Sequence, residues 1–83
     1  MISKIKIKYN TENSEEIYRS IKVDNIDLPD GMKINVNKGD NYIEIYIEME
    51  IKSSKDILTL RNTADEILAH IEVIEKVISN VNS

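Results

Sequence analysis

One histidine, no cysteine and two glycines eight positions apart are what this chain of 83 residues offers to catalysis, metal binding or phosphate binding. His70 is the single side chain whose unperturbed pKa lies near neutrality, and it stands between Ala69 and Ile71 in a helical pattern. At 100° per residue it points away from the line Ile57, Ala64, Ile71, Ile78, and no nucleophile accompanies it. A solvated or interface histidine is expected there, not a general base. Asp65 and Glu66 resemble an acid/base pair on paper, but adjacent helical residues diverge by about 100°, and such pairs decorate a wet face. A zinc site needs several His or Cys ligands, which the composition excludes. Gly31 and Gly39 fall in different turns, so no loop cradles a phosphate. The sequence therefore predicts no catalytic residue, no metal ligand and no cofactor.

Two further sets of residues concern binding. Lys4, Lys6 and Lys8 alternate with apolar residues, and Tyr42 and Tyr46 alternate with Glu44 and Glu48. Base stacking on the tyrosines is conceivable, yet the intervening carboxylates repel phosphates, and the net charge is −4. The Gly-x-x-Gly clamp of KH-type RNA binders is also missing. Burial of Tyr42 and Tyr46 at a contact between subunits is the preferred expectation, with nucleic acid contact at most indirect.

The elements that must carry these residues follow from periodicity. Residues 3–9 alternate strictly, with Ile5, Ile7 and Tyr9 on one face, as a half-buried strand requires. Asn13, Ser14, Glu15 and Glu16 supply capping and dipole chemistry for a helix over 13–22, in which Ile17 and Ile21 lie four apart beside Tyr18. Pro29, Asp30 and Gly31 mark a turn; Met32, Ile34 and Val36 then alternate through a strand over 32–37. Lys38 to Asn41 turn the chain into a third strand over 42–51, with Ile43, Ile45, Ile47, Met49 and Ile51 facing one way. Ser53 or Ser54 caps a final helix over 55–80, whose apolar residues at 57, 60, 64, 67, 71, 74, 78 and 81 alternate three and four apart.

The expected fold is one α+β domain over 1–83 in the order β-α-β-β-α. A helical crossover leaves room for the hairpin-linked third strand between the first two, giving an antiparallel sheet in order 1-3-2 with both helices on one face. Lys4, Lys6 and Lys8 then lie opposite Glu44, Glu48 and Glu50 as a charge ladder, not a phosphate strip. The last helix is longer than such a sheet is wide, so part of it projects or meets a partner. Val73 and Val77 widen its apolar arc to about 160°, and Leu58 adds to it near the start; this surplus is the signature of a partner helix. A domain this small, without disulfide or metal, is also expected to self-associate. The N-terminus alternates apolar and basic residues, so neither a signal peptide nor a membrane span is expected, and the cytoplasm is the default compartment.

Leu28-Pro29-Asp30-Gly31-Met32 after Asp24-Asn25, and Leu58-Thr59-Leu60-Arg61-Asn62-Thr63-Ala64-Asp65-Glu66-Ile67-Leu68, resemble segments of the Pcc/CTAG family, the small subunit of the archaeal and eukaryotic KEOPS complex. The resemblance spans nearly the whole chain, and the order of elements agrees. It implies a non-catalytic, dimerising scaffold subunit of the machinery that makes threonylcarbamoyladenosine in transfer RNA. The implied partner is the ATP-dependent threonylcarbamoyltransferase subunit, with a kinase-like ATPase and a further small subunit touched only indirectly. Cytosolic location goes with the archaeal members. Tyr18, Leu58, Asn62, Asp65, Val73 and Val77 are the expected partner-facing residues, and Tyr42 and Tyr46 the expected dimer-facing ones. A KH-like RNA-binding module and a generic helical dimerisation domain remain the alternatives.

Overall fold

The computed structural model describes residues 1–24 and 28–81. Its elements are β1 (Ile2–Asn10), α1 (Ser14–Asp24), β2 (Met32–Lys38), β3 (Tyr42–Glu50) and α2 (Ser54–Val81). The three strands form one antiparallel sheet in the order β1-β3-β2, as the crossover argument requires. Each boundary lies within two residues of its expectation. The part of the expected connector at 25–27 lies outside the described residues.

Alternation fixes which face is buried. In β3 the odd positions Ile43, Ile45, Ile47 and Met49 are buried, and they meet Ile17 and Ile21 of α1, Met32 of β2, and Leu60 and Ile71 of α2 in one core. The helices therefore share one face of the sheet, and the even positions form an open face. At about 1.5 Å per residue the 28 residues of α2 span roughly 42 Å, close to the 46 Å long axis of the molecule. Nine-residue strands span about 30 Å, so α2 outruns the sheet.

Both helix starts are held by local chemistry. The Asp56 carboxylate accepts hydrogen bonds from the backbone N–H of Lys52 (2.8 Å) and Ser53 (3.2 Å), which places Ser53 as the cap of α2 and satisfies donors that the helix leaves unpaired. For α1, Asn13 supplies the carbonyl that accepts from the Ile17 N–H (3.1 Å). The Ser14 hydroxyl, on the first helical residue, donates to the Gly39 and Asp40 carbonyls at 2.9 and 3.2 Å, tying α1 to the β2–β3 turn. At this same end of the sheet, opposite the start of α2, Thr11 donates to a Glu75 carboxylate oxygen at 2.7 Å. By Glu75, then, α2 has reached the end of β1, and residues 76–81 extend past it.

Two expectations are corrected. Ile57, assigned to the core-facing line of α2, is 51% exposed, because the helix is still in its first turn there and has not yet come over the sheet. The lysine ladder is also shifted: Lys4 faces Glu48 and Lys8 faces Glu44, but Lys6 faces Tyr46, and Glu50 faces Ile2.

Gly31 closes the turn into β2 with a φ of +81°, and its carbonyl accepts from the Glu50 N–H at 3.1 Å. A β-carbon there has room but forces an unfavourable backbone. Gly31→Ala is expected to lower stability by about 1–2 kcal/mol, read from urea unfolding followed by circular dichroism.

Candidate functional site

The side chains singled out from sequence fall on two surfaces, one on the outer face of α2 and one on the open face of the sheet. On α2, Leu58, Asn62, Asp65, Val73 and Val77 fall within an arc of about 120° at 100° per residue, opposite the buried Leu60 and Ile71. All five are exposed. Leu58 keeps 58% of its surface, Val73 59% and Val77 56%, so the described residues leave more than half of each side chain of this second apolar stripe uncovered. Val81 extends the stripe at 77% exposed. A β-branched residue on a solvated helix face gains little from propensity or burial, so the fold itself gives these valines no use. Tyr18 does not join this stripe. It is half-buried on α1, with the Lys38 ammonium 5.9 Å from its ring.

On the open face the alternation of β1, β3 and β2 brings together Lys4, Lys6 and Lys8, then Tyr42, Glu44, Tyr46 and Glu48, then Lys33, Asn35 and Asn37. Lys6 Nζ lies 3.1 Å from Glu44 Oε2, and Lys4 Nζ lies 3.9 Å from Glu48. The tyrosines are held within this lattice. Tyr46 is 37% exposed and donates its hydroxyl proton to Glu44 (3.2 Å), with Lys6 5.7 Å from its ring. The Lys8 ammonium stands 4.7 Å from the Tyr42 ring, which lies so close to the Gly39 backbone that a β-carbon there collides with it. Between β1 and β2 lies a shallow depression of about 440 Å³ that Lys4, Lys6, Lys33, Asn35, Tyr46 and Glu48 help to line. Its cations sit beside carboxylates, an arrangement that cancels the field a nucleic acid backbone needs.

In comparisons with protein-family models, curated proteins and solved structures, nothing matches this chain. Among the described residues no group of three His, Asp or Glu side chains could hold a metal ion, and no helix is long and apolar enough to cross a membrane. His70, Asp65 and Glu66 are all exposed on α2.

The hydrogen bond between Lys6 and Glu44 holds the Glu44 carboxyl below its ordinary value and the Lys6 ammonium above its own. On α1, Lys38 does the same to Glu15, with Arg19 assisting at 2.9 Å. A lowered carboxyl stabilises the fold above its ordinary value of 4.5 and loses that contribution as pH falls through the folded value. A raised ammonium stabilises below 10.5 and loses it as pH rises further. The expected share of the Lys6–Glu44 pair in the urea midpoint is therefore flat between these limits and falls on either side. Glu44→Gln flattens both limbs, and added salt shrinks the difference because both groups touch solvent.

Sequence reading missed the contacts that join the ends of the chain. Burial raises the Tyr9 hydroxyl, and the Glu75 and Glu72 charges raise it further, so β1 and the second half of α2 share an electrostatic environment beside the Thr11–Glu75 bond. The only signal for this was a carboxylate, Glu75, directly beside the apolar line of α2.

Proposed function

We propose that this chain is a non-catalytic dimerisation and scaffold subunit of the KEOPS complex, supporting threonylcarbamoyladenosine modification of transfer RNA by binding the threonylcarbamoyltransferase subunit. The observation that carries the reading is the exposed apolar stripe of α2, with Leu58, Val73 and Val77 each more than half exposed on the side of the helix away from the core. A helix that is apolar on two sides and packed on one has a face suited to a partner helix. The element order and the Leu58–Leu68 segment support the choice of complex through the family resemblance. In this reading α2 docks on helices of the transferase, the kinase-like and further small subunits are reached through it, transfer RNA is contacted at most indirectly, and the assembly is cytoplasmic.

The test is molar mass by light scattering for the chain alone and mixed with the transferase subunit of the same organism. A dimer alone and a two-plus-two complex in the mixture are the expected results. A dimer that ignores the transferase removes the assignment to this complex and leaves a dimerising domain.

A further inference from the structure

Resting on the docking read above, we infer that the helix seated on the outer face of α2 is basic, carrying Lys or Arg where it passes Asp65, Glu66 and Glu72. The apolar part of this face is a single row. Asp65, Ala69, Val73, Val77 and Val81 stand four apart, and all five are exposed. Residues four apart on an α-helix form a ridge, which fits the groove between two ridges of another helix. That makes a helix the natural occupant. Asp65 heads the row with a carboxylate, and at 100° per residue Glu66 lies only about 20° from the direction of Val73. These two acids close the end of the ridge nearer the start of α2. Glu72, one residue before Val73, borders the ridge on one side.

Charge along α2 divides at the same place. Ahead of Asp65 stand Lys55, Asp56 and Arg61, and Asp56 is occupied in capping the helix. From Asp65 onward stand four carboxylates, Asp65, Glu66, Glu72 and Glu75, against the single ammonium of Lys76. Glu75 accepts from the Thr11 hydroxyl and so belongs to the fold. Among the described residues, Asp65, Glu66 and Glu72 enter no ion pair, so the fold leaves their charge to whatever covers the ridge. An apolar partner that reaches past the valines buries these carboxylates unpaired, which is costly, and an acidic partner repels them. A helix with cations beside its own apolar row pairs them at the margin of the contact while the valines supply the buried centre. Charge complementarity thus selects one kind of occupant for this face.

The test is titration calorimetry of the full-length chain against the transferase subunit, at about 0.05 M and about 0.5 M sodium chloride, concentrations on either side of the range in which surface charges are screened. Asp65→Lys and Glu66→Lys reverse single charges at the ridge, and both positions are exposed and gain or keep helix propensity. Glu50→Lys makes the same change of net charge at an exposed position of β3, away from α2. Urea unfolding of each variant monitors the fold, and Glu66→Gln, which removes the charge without reversing it, serves where a reversal lowers stability. A Kd raised about tenfold or more by each α2 reversal at low salt, by less at high salt, and by about twofold or less for Glu50→Lys supports the inference. Binding that neither α2 reversal weakens, or that Glu50→Lys weakens as much, overturns this inference and leaves the docking reading standing. A transferase that does not bind the unaltered chain at either salt concentration overturns both.

Discussion

Val73→Glu with Val77→Glu weakens binding to the transferase subunit by about a hundredfold or more and leaves the fold where it was: that is the expected result of the first experiment on α2. Both side chains are more than half exposed, so neither contributes much to the core, and surface substitutions away from special features change stability by about 0.5 kcal/mol or less. On a helix that docks through them, each valine removed from water contributes about 1.5 kcal/mol. Losing two such contributions is a change of about a hundredfold in Kd, and burying two carboxylates against an apolar partner adds to it. Titration calorimetry of the double variant against the transferase, beside a urea unfolding curve, reads both quantities. Unchanged affinity removes α2 as the docking face.

Much of the architecture was legible because one period dominated each segment. Strict alternation in β3 and the three-four spacing in α2 dictate which residues turn inward, and the helical crossover after β1 together with the short hairpin after β2 points to the 1-3-2 order. The charge ladder was legible as a pattern but not as a register, since a shift of two residues preserves the alternation; only the paired backbone shows that Lys6 faces Tyr46 and reaches Glu44 diagonally. Ile57 was misread because periodicity says which side of a helix a residue occupies, not whether a sheet lies beneath that turn. The Thr11–Glu75 bond joins residues 64 positions apart, beyond any local signal. The candidate site was legible only as a surplus: a stripe wider than one sheet can cover marks apolar surface left over from the core and names no partner.

The opposite face of the same helix gives the second large effect. Ile71 is fully buried, and with Leu60 it is one of the two buried residues of α2; the half-buried Ala64, Ile67, Ile74 and Ile78 complete that side. Truncating it leaves a cavity that the central β3 isoleucines cannot fill, because they are fixed in the sheet. Ile71→Ala is therefore expected to cost about 2–5 kcal/mol. A domain of 83 residues has a total stability of about 4–12 kcal/mol, so this one substitution removes a large fraction of it or leaves the chain unfolded. Ile71→Val, which removes a single methylene, is expected to cost about 0.5–1.5 kcal/mol and keeps the comparison measurable if the alanine variant does not fold. Urea midpoints of the two, set beside Val77→Ala, read the two faces of one helix against each other. Equal costs at 71 and 77 refute the division of α2 into a face that holds the fold and a face that is free to bind. A steep cost at 71 and almost none at 77 is what that division requires, and it makes any loss of partner binding at 77 a property of the surface itself.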